Sequence, residues 1–132
     1  MNPSRWAVSW WDDTTTKPNE LVTSLGGNNY GTTWLPVVDT WYHVAISRSG
    51  TDTKLFLNGT QEGSSYSDSS NYGSTKPIRI GGDENDQQCL AGYVDNFRVS
   101  NVARYTSQFS APKGMFHGDT NTKLLLHLFC FC

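Results

Sequence analysis

Two neighbouring stretches, Trp41-Tyr-His-Val-Ala-Ile-Ser-Arg48 and Thr53-Lys-Leu-Phe-Leu-Asn-Gly59, constrain this chain more than any others. Val44 and Ile46 alternate with Ala45 and Ser47, and Leu55 and Leu57 flank Phe56, a period of two that belongs to β-strands. Ser49-Gly-Thr-Asp52 between them carries turn chemistry, and Asn58-Gly59 closes the second strand with a strong short hairpin signal. The alternation assigns Val44, Ile46, Leu55 and Leu57 to a core face. A chain built on such a pair adds further strands beside it.

In chain order the same logic continues. Arg5 to Trp11 reads as a strand, Asp12 to Asn19 as a polar turn, and Glu20 to Leu25 as a returning strand broken by Gly26-Gly-Asn-Asn29. Thr32 to Val38 is apolar, but Pro36 demotes it to an edge or approach segment. Thr60 to Tyr66 pairs back across Asn58-Gly59, Pro77 to Gly82 is a short strand, and Leu90 to Ser100 is one long strand. Asn101 to Tyr105 has room for one helical turn, and Lys123-Leu-Leu-Leu126 begins something new. Seven or eight short strands with turn residues at this spacing predict an antiparallel sandwich rather than a parallel α/β fold.

Composition agrees, with six Tyr, six Phe and five Trp among many Ser, Thr, Asn and Gly. A net charge of −2 argues against nucleic acid, for which a basic stripe is expected. No apolar run approaches the roughly 18 residues of a membrane-spanning helix, and Met1 to Trp6 holds no signal-peptide core. Cys89, Cys130 and Cys132 match neither a disulfide framework nor a zinc site.

Five segments in order, Trp41 to Arg48, Lys54 to Gly59, Ile78 to Gly82, Gly92 to Val99 and Val102 to Tyr105, carry a resemblance. Over about residues 4 to 112 the chain resembles the laminin-G-like branch of the concanavalin-A-like lectin and glucanase superfamily. It looks most like the tandem copies of phage tail and fibre proteins and of bacterial surface proteins. The resemblance implies an all-β, antiparallel jelly-roll β-sandwich over residues 1–112, with 113–132 a linker and the truncated start of a following repeat. It also implies an extracellular or virion-associated setting, reached through a larger parent protein. The apolar-aromatic run with which relatives begin is not found before Trp6, so the first strands of the sandwich are expected to be missing. Asp119 to His127 resembles the opening of a next repeat, but Leu128-Phe-Cys-Phe-Cys132 departs from it, as a frameshift or misplaced stop would cause. Exposed strand edges then favour a homo-oligomer or self-association.

The resemblance implies a recognition or adhesion module for a cell-surface glycan or a surface protein. For sugar binding, the aromatics Trp11, Tyr30, Trp34, Tyr66 and Tyr72 lie in or beside polar loops with Asn28, Asn29, Asp68 and Asn71. Trp6, Trp10 and Trp41 are assigned to the core instead. Calcium is the candidate cofactor, on the oxygen-rich stretch Asp83, Glu84 and Asp86, with Asp95 a further possible ligand. Asp95 lies within an apolar strand and needs hydrogen-bond partners, Arg98 and Arg104 being near in sequence. A structural or protein-binding repeat is the alternative function. A glycoside hydrolase is disfavoured: the glucanase pattern Glu-x-Asp-x-x-Glu is begun by Glu84 and Asp86 but meets Cys89.

Overall fold

A computed structural model describes residues 6–13, 17–25, 28–72, 77–82, 89–127 and 129–131, with the backbone alone for 11–13, 17–18 and 129–131. The described residues form ten strands and no helix, and every strand pairing is antiparallel. The chain divides into two compact units, one of Met1–Ser74 with Arg104–Pro112, the other of Thr75–Ala103 with Lys113–Cys132.

In the first unit β1 (Trp6–Asp13), β2 (Lys17–Leu25) and β3 (Asn28–Thr33) form one sheet in that order. The register sets Trp6 beside Leu25 and Asn28, Val8 beside Thr23 and Tyr30, and Trp10 beside Leu21 and Thr32. These residues therefore share one face, because side chains two apart along a strand point the same way. As the middle strand, β2 is buried on both faces, with Leu21, Thr23 and Leu25 on this one and Val22 and Ser24 on the other. The Gly26-Gly27 break predicted from sequence is followed at once by β3, whose polar Asn28 and Asn29 gave no strand signal.

A second sheet holds β4 (Val44–Ser49), β5 (Asp52–Leu57) and β6 (Thr60–Ser67). Both hairpins are the tight ones expected. Asn58 and Gly59 have φ of 51° and 87°, the left-handed pair of a type I′ turn, which suits the twist of the strands. The two sheets meet along β3 and β6, where the Tyr30 and Tyr66 rings stack at 3.8 Å and the Thr32 hydroxyl donates to Glu62 at 3.4 Å.

The other long edge is open. Trp6, Val8 and Trp10 are each 41–43 % exposed and Val44 is 37 % exposed. This corrects the assignment of Trp6, Trp10 and Val44 to the core; Trp41, in the irregular stretch before β4, is more exposed still. The reason is positional: β1 and β4 are outer strands of their sheets among the described residues, so their inward side chains are flanked on one side only.

A second correction concerns β5. Leu55 is buried as expected, but Phe56, on the opposite face, is buried completely. The segment Arg104–Pro112 covers that face. Phe109 N–H donates to Gly59 O at 3.0 Å, Lys54 Nζ donates to Thr106 O at 2.8 Å, and the Tyr105 and Phe109 rings stack at 3.7 Å. His43 meets both rings edge-on, which makes it a packed histidine. Residues 101–105 run as bends rather than as the predicted helical turn.

The second unit contains β7 (Gly92–Val94), β8 (Phe97–Ser100), β9 (Thr122–Leu126) and β10 (Phe129–Phe131), paired as β10–β7 and β8–β9. The single strand predicted over Leu90 to Ser100 is broken at Asp95-Asn96, because Asn96 adopts φ 54°. Asp95 is exposed there, not enclosed in a strand, and its carboxylate accepts from Asn96 N–H at 2.7 Å. Asn96 Oδ1 accepts from Phe116 N–H at 2.9 Å and meets His127 Nδ1 at 3.0 Å, a contact that requires the proton on Nδ1. Ile78 and Ile80 form no strand; Gly82 and Cys89 make a lone antiparallel bridge.

Candidate functional site

The most organised polar group in the first unit grows from the end of β6. Asp68 follows that strand directly, and its N–H donates to Thr51 O at 2.8 Å, which ties it to the β4–β5 turn. Its Oδ1 accepts from Ser70 N–H at 2.9 Å, an Asx turn that curls the chain back. Its Oδ2 accepts from the Tyr72 hydroxyl at 2.9 Å and from Arg48 Nη1 at 3.4 Å. Arg48 Nη1 also donates to Ser70 O at 2.7 Å, so one guanidinium holds both the carboxylate and the turn.

Asp68 is a buried carboxylate with partners on both oxygens. Burial alone would raise its pKa, but the Ser70 N–H, the Tyr72 and Ser70 hydroxyls and the Arg48 charge outweigh it and hold the carboxyl below its ordinary range. The Tyr72 hydroxyl moves up in return, through burial first and then its bond to the carboxylate. Behind them, burial pushes the Tyr66 hydroxyl up to about 12. The Thr23 hydroxyl lies near enough to oppose that rise in part. It is not in hydrogen-bonding geometry, and both oxygens are buried without a partner. Desolvation therefore governs Tyr66.

Two adjoining hollows flank this group and share Leu25, Asp68 and Tyr72. One, of about 160 Å³, is polar and is walled by Asn28, Tyr30, Ser67, Ser69 and Ser70. The other, of about 200 Å³, is apolar and lies among Trp6, Ile46, Arg48 and Thr53. Together they reach only the lower end of the range of about 300–1,000 Å³ usual for small-molecule sites.

Of the residues proposed from sequence, Asn28, Tyr30 and Tyr72 meet at the polar hollow. Asn29 does not: it alternates to the other face of β3, where its Oδ1 accepts from the Ser24 hydroxyl at 2.7 Å. Trp34 lies beyond the far end of β3, edge-on to Tyr42 at 4.9 Å, and its carbonyl accepts from Trp10 Nε1 at 3.3 Å. The Trp11 side chain lies outside the described residues. Arg48, Thr53 and the three serines were missed. Their signal was present but faint: Asp68-Ser-Ser70 is an Asx-turn pattern, and Arg48 follows Ile46 at strand period.

The family model of the concanavalin A-like lectin/glucanases superfamily (Laminin_G_3) matches residues 2–108. The chain belongs to this superfamily. Its antiparallel all-β architecture is that of the concanavalin A-like β-sandwich, as the sequence resemblance implied. No curated protein and no solved structure matches the chain. In this lectin/glucanase-type domain, Asp68 does not suit calcium, because Arg48 already supplies its positive charge. No three acidic, histidine or cysteine side chains converge among the described residues. Asp83, Glu84 and Asp86 lie outside them, and the Asp95 carboxylate accepts from Asn96 N–H at its bend.

Proposed function

We propose that this domain is a non-catalytic recognition module that binds a cell-surface glycan, as one part of a larger fibre or surface protein outside the cell or on a virion. The observation that carries the reading is the polar hollow, where Asn28, Tyr30, Tyr72 and three serine positions converge on a buried, pre-organised Asp68. A sugar needs such a site: several short polar groups for its hydroxyls and a ring surface beside them. Supporting the non-catalytic part, Glu20 and Glu62 reach opposite faces of the β1–β3 sheet, so they do not flank one bond as glycosidase carboxylates must.

A glycan array tests this, followed by Asn28→Ala and Ser69→Ala in the same protein. Retained array signals in both variants would overturn the assignment of the site, and an empty array would overturn glycan binding. A chelator arm decides whether calcium on the Asp83–Asp86 stretch takes part.

One observation favours a protein-binding role instead. Leu35, Val37, Val38 and Trp41 are 64–85 % exposed within a single irregular stretch before β4. A cluster of this kind marks contact surfaces for other macromolecules. An empty array together with a Val38→Asp variant that loses self-association or partner capture would establish that reading.

A further inference from the structure

We infer that the cleft is built for a 2-acetamido sugar, with the acetamido group in the apolar hollow and the sugar hydroxyls in the polar one. The inference rests on the glycan reading above and names the class of sugar. Three features of the apolar hollow carry it.

The first is the change of polarity between two hollows that share Leu25, Asp68 and Tyr72. A ligand spanning both needs one end rich in hydroxyls and another that is compact and apolar. An unsubstituted hexose has no such second end, and filling the Trp6, Leu25 and Ile46 side with hydroxyls would desolvate them without partners.

The second feature is Thr53. It stands in the wall of the apolar hollow, only 1 % exposed, and its hydroxyl has no hydrogen-bond partner. A buried hydroxyl left without a partner is costly, and a ligand that supplies one recovers that cost. A bare methyl, as in a 6-deoxy sugar, would leave the hydroxyl as it is. An amide supplies a donor and an acceptor next to its methyl group.

The third is Arg48, on the same wall. It uses Nη1 for Asp68 and Ser70, and among the described residues its remaining guanidinium N–H groups have no acceptor. Arg48 is exposed, so these groups are open to a ligand, and an amide carbonyl is an acceptor for them. A carboxylate-bearing sugar fits less well, since Asp68 beside Arg48 stays ionised and already compensates the guanidinium charge. The acetamido group is the small substituent that combines a methyl, a carbonyl acceptor and an N–H donor without charge.

The test uses the full chain and four methyl glycosides: those of N-acetylglucosamine, N-acetylgalactosamine, glucose and galactose. Affinities are read by ligand-detected NMR or calorimetry. At least one acetamido sugar is expected to bind about tenfold tighter than its parent hexose. Thr53→Val keeps the shape and removes only a hydroxyl that is already unsatisfied, so the fold should persist. It is expected to reduce the acetamido preference about fivefold while leaving hexose binding unchanged. Asn28→Ala should weaken both classes alike. Equal binding of acetamido and parent sugars, or an unchanged preference in a folded Thr53→Val, would overturn this inference alone. Binding of none of the four, together with an empty array, would overturn the glycan reading with it.

Discussion

The two faces of the β4–β5–β6 sheet have been finished in different ways. One is sealed: Phe56 is fully buried under Tyr105 and Phe109, with His43 at the margin. The other carries Ile46, Leu55 and Leu57 but also Arg48, Thr53, Glu62 and Tyr66, and it packs against the first sheet with hollows remaining. Close packing of rings on the sealed face leaves nothing for a ligand to reach. Imperfect packing on the other leaves polar groups whose hydrogen-bonding capacity is not used up, such as the hydroxyls of Thr23, Thr53 and Tyr66. Stability and recognition are thereby divided between the two sides of three strands.

The sharpest way to break this comparison is Phe56→Ala. Removing a fully buried ring under a close-packed segment should cost about 3–5 kcal/mol, read from urea denaturation. Val44→Ala, on the open face and 37 % exposed, should cost well under half of that. Equal losses would show that the sealed face is not the core of this unit.

Gly59→Ala comes next. A Cβ there would lie 1.9 Å from Phe109 O, and the residue has φ 87°. Both the turn and the covering segment must shift, so we expect a loss of about 2 kcal/mol or more and faster proteolysis within 104–112. Gly50→Ala, also at positive φ but with open space around it, should cost less and leave proteolysis unchanged.

On the open face the effects are smaller and depend on pH. Asp68 has a lowered folded pKa, so its contribution to stability is present above the ordinary value of 3.8 and lost as pH falls through the folded value. Asp68→Asn should cost about 1 kcal/mol at neutral pH and flatten the acid limb of a thermal-melt series. An unchanged acid limb would remove Asp68 as its organiser.

Tyr66→Phe is expected to have the smallest effect, and of the opposite sign. Its hydroxyl is buried without a partner, so removal should leave stability unchanged or raise it by up to about 1 kcal/mol. The folded pKa of about 12 lies above the ordinary 10.0, so the fold loses stability as pH rises through that interval. Ultraviolet titration of tyrosinate should show one late-ionising group that is absent from the variant.

Hairpin chemistry was largely legible in the residues, because it depends on neighbours within a few positions, whereas the seven or eight strands expected became ten among the described residues. Val44 to Ser49, Asp52 to Leu57 and Thr60 to Ser67 fall where alternation and Asn58-Gly59 put them. Asn28 to Thr33 was hidden, since its pairing with β2 replaces any propensity of its own. The break at Asn96 was hidden too, because an apolar run reads as continuous whether or not one residue turns left-handed.

The sequence by itself determined an antiparallel β chain of the concanavalin A-like kind and the position of its tight turns. Only the tertiary structure decided which aromatic residues face inward, since period two names two faces without saying which is covered. It also decided the site. Asn28, Arg48, Thr53 and Asp68 lie on four different segments, and they come together because sheet packing sets distances that separation along the chain does not encode.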